Sequence, residues 1–312
     1  MTTTAVPVAA VAEPESIASV PPRSREVGRF VETASVRWLR RVFAMLGPCA
    51  PEAAARLAYA LLTRPPRVAE RTWERAVRSR ANCSALRFGA GELALYEWGS
   101  GARTVLLVHG WGARGTHFGR MVPALVQAGH RVLAFDAPAH GYSTGRSTTL
   151  PDFAASVAAV ARHVGGVELL VAHSFGVAMA LWAQADWGLR VRRQVLFSSL
   201  DHCQWVTEEF GRLMGLPPAI MERGRQLMVQ RTGSVMDWDR LSVADWLCES
   251  KASTLLMHDT ADQEVPVQHL FSLIKACSQR PMDVHLTEGL GHHRLLGDSR
   301  VVNRVVDFLG QM

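Results

Sequence analysis

A serine at residue 174 lies where a buried strand is predicted to turn sharply into a helix. Residues 167–172 form a short apolar run rich in Val and Leu, and small residues at helical spacing follow from residue 177. A tight turn of this kind exposes a serine Oγ at its apex and requires small neighbours, here Ala172 and Gly176. Such a serine could attack an acyl carbon covalently. A serine that only caps the next helix is the alternative.

Two adjacent histidines near the C-terminus are candidate bases for that serine. A serine hydroxyl is a weak nucleophile until an imidazole takes its proton, and a carboxylate must fix the tautomer of that imidazole. His292 and His293 follow the last predicted strand, and the residues alone leave both open. Other histidines lie in predicted turns at strand ends, where we expect structural roles: His109, His140 and His173.

Three aspartates compete for the role of the acid. Asp259 and Asp262 follow a predicted strand at 253–258, and Asp201 follows the preceding strand. If these strands are parallel, their carboxyl ends meet at one edge of the sheet, within reach of the same base.

The segment 108–112, Val-His-Gly-Trp-Gly, ends an early predicted strand. Acyl transfer needs two backbone N–H groups aimed at the developing oxyanion, one directly after the nucleophile and one from such a loop. We expect the N–H groups of Phe175 and Trp111 to form this oxyanion hole, and both side chains to contact substrate.

From residue 85 the chain alternates strands with helices. A hairpin is predicted around residues 89–91. Apolar segments typical of buried strands follow, with helical patterns such as 118–128 and 151–164 between most of them: 104–109, 131–136, 168–173, 191–198, 253–258 and 283–287. This order predicts an α/β fold with a mostly parallel, twisted sheet and helices on both faces. Ligand sites in such sheets collect at the carboxyl ends of the strands, where Ser174 lies.

The N-terminal part of the chain differs in composition. Residues 1–25 mix Thr, Ala, Pro and Ser without period, which predicts a disordered tail. Residues 26–84 show helical periodicity, with helices expected from residue 27 to Gly47-Pro48, at 51–62 and at about 69–80. Because residues 23–80 hold 13 Arg and five Glu, this N-terminal extension is basic.

A basic amphipathic helix can lie on an anionic membrane surface. We favour packing of its apolar face on the rest of the chain or on a second copy. Residues 26–62 are therefore a candidate peripheral membrane or dimer contact.

The connection at about residues 200–251 is longer than an ordinary crossover between parallel strands. It predicts a short helical lid inserted in the α/β domain of residues 85–312. Helices are expected at 204–213, 217–230 and 243–248, rich in Met and Trp. Adaptable apolar side chains suit an acyl-binding wall, so Trp205 and Met214 are candidate substrate contacts. These side chains could instead form only the core of the lid itself.

Composition excludes several classes of protein. No run of about eighteen apolar residues indicates a membrane span, and residues 1–12 lack the basic region of a secretory signal. Five scattered cysteines predict reduced thiols and a cytoplasmic protein. Residues 81–312 are neutral overall, so we expect no nucleic-acid partner. No metal-ligand spacing or phosphate-binding glycine loop is present, and we expect no metal and no cofactor.

Over residues 85–312 the chain resembles the α/β-hydrolase superfamily, in particular its bacterial single-domain serine esterase-like members. Four segments match in order and approximate spacing: His-Gly-Trp-Gly, Asp-x-Pro-x-His-Gly, His-Asp-x-x-Asp-x-x-Val-Pro and Gly-x-Gly-His. The resemblance implies Ser174 as nucleophile, Asp262 as triad acid and His292 as general base. The first flank of the serine is Ala172, where the pattern usually has Gly.

The resemblance implies hydrolysis of a carboxylic ester, a small molecule with a hydrophobic acyl or small organic acid portion, through an acyl-enzyme. One alternative is a thioesterase or acyltransferase acting on acyl groups bound to coenzyme A or a carrier, with the Arg-rich extension docking the acidic partner. A non-catalytic binding member of the fold is the other.

Overall fold

The computed structural model describes residues 34–311, and a sheet of eight strands runs through them. The predicted tail at 1–25 and the start of the predicted extension, 26–33, lie outside the described residues. The strands are β1 Asn82–Phe88, β2 Gly91–Trp98, β3 Arg103–Val108, β4 His130–Phe135, β5 Leu169–His173, β6 Arg193–Phe197, β7 Ser253–Asp259 and β8 Asp283–Thr287.

The strand order is β1-β2-β4-β3-β5-β6-β7-β8, with parallel pairs from β4 to β8 and antiparallel pairs on both sides of β2. Strand β5 lies between β3 and β6, so that Ala172 pairs with Val108 and His173 with Phe197. All residues of β5 are buried, which explains its unbroken apolar run in the sequence. The predicted α/β fold is confirmed.

Helices cover both faces of the sheet. Phe153 and Trp182 pack on one face, and Leu125 and Phe308 pack on the other. The α-helices are α1 Ala34–Cys49, α2 Pro51–Leu62, α3 Thr72–Arg78, α4 Val122–Gln127, α5 Leu150–His163, α6 Phe175–Asp186, α7 Gln204–Met214, α8 Pro218–Thr232, α9 Val243–Glu249, α10 Gln268–Ala276, α11 Gly291–Arg294 and α12 Ser299–Gly310.

The insertion between β6 and β7 divides into two parts. Helices α7 and α8 pack against α1 and α2 through one apolar cluster: Phe43, Ala54, Ala55, Ala58, Met214, Leu216, Ile220 and Met221. Helix α9, predicted as part of the lid, instead packs on α6, where the rings of Trp246 and Trp182 stack with centroids 5.4 Å apart. The N-terminal helices and the first two insertion helices therefore share a small core of their own.

The outer side of α1 carries two exposed apolar side chains. Trp38 is 63% and Met45 76% exposed, while Phe43 faces the shared core. Contact of this region with a membrane or a second copy stays a prediction. Among the described residues, no helix is both long and apolar enough to cross a bilayer.

The chain between α2 and β1 is tied to loops at the carboxyl edge of the sheet. The guanidinium of Arg67 donates to the carbonyl oxygens of Ser143 and Gly145, both at 2.9 Å. The hydroxyl of Tyr142 donates to Glu70 at 3.0 Å. These bonds fix the N-terminal segment against the loop that follows β4.

The prediction that all cysteines are reduced thiols is wrong. Cys248 and Cys277 form a disulfide that joins the end of α9 to the end of α10. Cys49 and Cys83 are exposed thiols and Cys203 is a buried one. Sequence spacing could not reveal the pair, because its partners are 29 residues apart and only the packing of α9 on α10 brings them together.

Candidate active site

Ser174 lies on the turn between β5 and α6 with φ 56° and ψ −129°, a backbone conformation that residues other than glycine rarely adopt. The backbone N–H of Ser174 donates to the carbonyl of Phe197 on β6, at 2.8 Å. A Cβ on Gly176 would come within 2.3 Å of the carbonyl oxygen of His109. A side chain at position 176 would therefore force the turn away from the loop after β3.

His292, in the short helix α11, lies against Asp262. Its Nδ1 is 2.7 Å from Asp262 Oδ2, and both residues are buried. The other carboxylate oxygen, Oδ1, accepts the N–H groups of Glu264 and Val265, each at 2.9 Å. Burial acts to raise the pKa of Asp262, but the hydrogen bond from His292 and those from the backbone outweigh it, so the pKa lies below its usual value. The carboxyl is charged at neutral pH.

The two rival aspartates have other partners. Asp259 accepts hydrogen bonds from the N–H groups of Ala261 and Leu290 and from the hydroxyl of Thr287, and so holds the turns that follow β7 and β8. Asp201 Oδ1 lies 2.5 Å from Nδ1 of His202 and 2.8 Å from Nδ1 of His269.

The histidines expected to be structural make backbone hydrogen bonds. His109 Nε2 accepts the N–H of Ala137 at 3.0 Å, and His140 Nδ1 lies 3.0 Å from the carbonyl of Pro138. His173 Nε2 lies 2.9 Å from the carbonyl of His292. This last bond links the serine turn to the loop that carries His292.

Trp111 and Phe175 flank Ser174 from two elements. Phe175 is the first residue of α6, where backbone N–H groups have no acceptor within the helix. Trp111 follows β3, and its ring meets that of Phe175 edge-on with centroids 5.5 Å apart. A Cβ on Gly110 would lie 3.1 Å from the Ser174 Cβ, so the loop passes directly beside the serine.

The two predicted substrate contacts from the insertion lie in different surroundings. Trp205 is partly buried against the main apolar cluster, and its ring meets that of His269 edge-on at 4.6 Å. Met214 is buried in the cluster that joins the insertion to α1 and α2. Their contact with substrate stays a prediction.

Two side chains beside the serine turn, those of Glu264 and His117, were not predicted from the sequence. Glu264 Oε1 lies 2.9 Å from His293 Nε2, and Glu264 Oε2 lies 3.9 Å from His292 Nε2. His117 belongs to the short 3₁₀ helix Gly115–Phe118, and its ring centroid lies 5.8 Å from that of His173. Glu264 had a sequence signal, since it stands two residues after Asp262, whereas His117 had none.

Comparison with known proteins agrees with this architecture. Residues 103–235 match the family model described as the alpha/beta hydrolase fold. A non-heme haloperoxidase of Rhodococcus erythropolis is 31% identical over 142 residues, which cover 44% of this chain and 51% of that protein. The chain thus spans about half the length of this relative.

Solved structures extend the likeness in fold. An esterase of Pyrococcus furiosus superposes with a TM-score of 0.60 at 18% identity, covering 79% of this chain and 95% of that one. A membrane phospholipase A, a bacterial virulence factor, superposes with a TM-score of 0.57 at 18% identity, covering 88% of this chain and 96% of that one. The family match covers β3 to the insertion, and the structural neighbours agree with the whole sheet, so the chain has the α/β-hydrolase fold.

Proposed function

We propose that this protein is a serine hydrolase that cleaves carboxylic esters through an acyl-enzyme. The observation that carries the proposal is the 2.7 Å hydrogen bond between His292 Nδ1 and Asp262 Oδ2, on the loops that flank Ser174 in its left-handed conformation. A buried carboxylate that holds one imidazole nitrogen leaves the opposite nitrogen, Nε2, as a proton acceptor.

In the proposed reaction, Ser174 Oγ attacks the ester carbonyl while its proton passes to His292 Nε2. The charged Asp262 stabilises the imidazolium that forms. The N–H groups of Phe175 and Trp111 bind the oxyanion. Collapse of the intermediate breaks the bond to the alcohol, which takes the proton from His292, and water then attacks the acyl-enzyme by the same route.

A hydrophobic acyl portion is supported by the apolar side chains around the serine. The ring of Trp111 meets that of Phe175 edge-on at 5.5 Å, and the ring of Phe153 lies 5.9 Å from that of Phe175. Met228 and Met236 of the insertion are buried in the large apolar cluster on the same face of the sheet. Thioether and aromatic side chains pack against acyl chains of varied shape. The two structural neighbours described above are named as an esterase and a phospholipase A, and both names denote cleavage of esters.

The Rhodococcus relative is named a haloperoxidase, so peroxide-dependent halogenation is a second candidate activity of the same site. Hydrogen peroxide in place of water would attack the acyl-enzyme and release a peracid, which oxidises bromide to hypobromite while the peracid becomes the acid. With acetic acid as the acyl donor, Ser174 is acylated with loss of water before peroxide attacks. We expect slow bromination of a dye that requires acetate and disappears in Ser174→Ala. Bromination that persists in the variant would exclude this route.

The test of the proposal is hydrolysis of p-nitrophenyl esters of increasing chain length by the wild type and Ser174→Ala. We expect kcat to fall by at least about a thousandfold in the variant, with an optimum at a chain longer than acetyl in the wild type. Ser156→Ala is the matched control, since its hydroxyl is buried in α5 and donates only to Phe153. Equal turnover by wild type and Ser174→Ala would overturn the proposal, and turnover of acyl-coenzyme A alone would favour a thioesterase.

A further inference from the structure

Four imidazoles surround the serine turn: His117, His173, His292 and His293. Their ring centroids lie 4.5 Å apart for His173 and His292, and 4.9 Å apart for His292 and His293. His117 joins the group at 5.3 Å from His293. Ester hydrolysis as proposed uses only His292 as a base, and the hydrogen bond of His173 to the His292 carbonyl leaves its other nitrogen unused.

The hydrogen bonds of three of these rings follow the pattern of metal-binding histidines, whose second nitrogen donates to a carboxylate or carbonyl oxygen. His292 Nδ1 faces Asp262, His293 Nε2 faces Glu264 and His173 Nε2 faces the carbonyl of His292, at 2.7, 2.9 and 2.9 Å. With these nitrogens donating, the opposite nitrogen of each ring carries a lone pair. A ring nitrogen from each lies within 4.8 Å of the other two.

Two buried nitrogens of this group have no hydrogen-bond partner, His173 Nδ1 and His117 Nε2. His173 is 1% exposed and the side chain of His117 12% exposed, and burial favours the neutral form of an imidazole. A neutral imidazole with a free lone pair is a ligand for Zn²⁺ and not a repelling charge.

The cluster of histidines is exposed to solvent at His293, and the negative charge of Glu264 beside it would attract a cation. The side chains of His293 and Glu264 are 45% and 44% exposed. Zn–N bonds are about 2.0–2.1 Å long, so the three ring nitrogens, now within 4.8 Å of one another, must move slightly closer to bind one ion. The Glu264 carboxylate lies near both His292 and His293, which adds attraction for a divalent ion.

We propose that His173, His292 and His293, with Glu264 beside them, bind a divalent transition metal ion such as Zn²⁺, and that the bound ion switches the hydrolase off. The ion takes the Nε2 lone pair of His292 that would accept the proton of Ser174. The inhibitory part rests on the proposed function, whereas metal binding does not.

Binding is tested by titrating ZnCl₂ into the full chain carrying Ser174→Ala, which keeps all four imidazoles. We expect one Zn²⁺ per chain, and adding His293→Ala should weaken binding at least about tenfold. Adding His163→Ala instead is the matched control, since His163 is an exposed histidine of α5. The absence of saturable binding, or equal weakening by His163→Ala, would overturn the proposal.

Co²⁺ gives a second readout on the unmodified chain, independent of any variant. We expect strong visible d–d absorption from a four-coordinate site, displaced by Zn²⁺. Weak bands like those of the aqueous ion would contradict the site.

Inhibition is tested on the wild type with a p-nitrophenyl ester. We expect turnover to fall as Zn²⁺ is added, to return with EDTA, and to fall less steeply in His293→Ala. Hydrolysis that requires Zn²⁺ would overturn the inhibitory role. If the wild type hydrolyses no ester, only the proposed function is contradicted, because the metal titrations test the metal site independently of turnover.

Discussion

Two groups at the carboxyl edge of the sheet each combine an aspartate with histidines, yet they are built differently. In the Asp262 group the side chain is fully buried, one carboxylate oxygen binds backbone N–H groups and the other binds His292. In the Asp201 group the side chain is 20% exposed, and a single oxygen, Oδ1, binds both His202 and His269.

The difference lies in what each carboxylate holds: Asp262 is itself held by the backbone and faces His292, whereas Asp201 joins two histidines from different elements. Backbone N–H groups hold Oδ1 of Asp262, and Oδ2 lies 2.7 Å from His292 Nδ1, closer than to His258 Nε2 at 3.6 Å. Asp201 instead connects the start of the insertion at His202 to helix α10 at His269. Only the Asp262 group lies on a loop hydrogen-bonded to the strained turn of Ser174, through the bond from His173 to His292.

The largest effect expected from this comparison is on turnover in Asp262→Asn. The amide cannot stabilise the imidazolium and favours the wrong tautomer of His292, so kcat on a p-nitrophenyl ester should fall about 10³–10⁴-fold. Asp201→Asn is the matched control and should change kcat by less than about threefold. If Asp201→Asn lowers kcat as much as Asp262→Asn, the assignment of the acid is wrong.

A smaller effect is expected in Asp259→Asn, because this carboxylate supports the turn that leads to His292. One oxygen accepts both the Thr287 hydroxyl and the Leu290 N–H, so loss of the charge should lower the free energy of unfolding by about 1–3 kcal/mol. Denaturant unfolding measures this change. A kcat loss as large as that of Asp262→Asn, without a loss of stability, would identify Asp259 as the acid.

The smallest effect is expected in the pH dependence of stability around Asp201. Burial acts to raise the pKa of Asp201, but hydrogen bonds from His202 and His269 lower it overall, and the bond to Asp201 raises the pKa of His202. The depressed Asp201 pKa gives stability that is present above the ordinary value of 3.8 and is lost as pH falls below it. The raised His202 pKa gives stability that is present below 6.5 and is lost as pH rises above it.

The gap in unfolding free energy between wild type and Asp201→Asn should therefore be widest between about pH 4 and 6.5, and about 1 kcal/mol for so exposed a pair. Thermal unfolding across pH 3–9 measures the gap. A gap that widens steadily above pH 7 would contradict the ion-pair role of this group.

Much of the fold could be predicted from the sequence because buried parallel strands require continuous apolar runs. The strands from β3 to β8 lie within two residues of the predicted segments, and α2 matches the prediction at both ends. The predicted helix at 118–128 is shorter, since a 3₁₀ turn at Gly115–Phe118 precedes α4. Helix α9 belongs with α6, not with the lid, because the stacking of Trp182 on Trp246 depends on packing between distant segments.

The sequence by itself determined the α/β order of the elements and the position of Ser174 at a strand end, because local periodicity and turn residues encode both. The residues alone left three aspartates as candidate partners of His292, and only the family resemblance singled out Asp262. They also left open where the N-terminal helices pack, and the prediction that all cysteines are reduced was wrong. Only the tertiary structure decided these points, since each depends on contacts between residues far apart in the chain: Asp262 with His292, Cys248 with Cys277, and Phe43 with Ile220. The group of four imidazoles arises for the same reason, because three separate loops meet at one edge of the sheet.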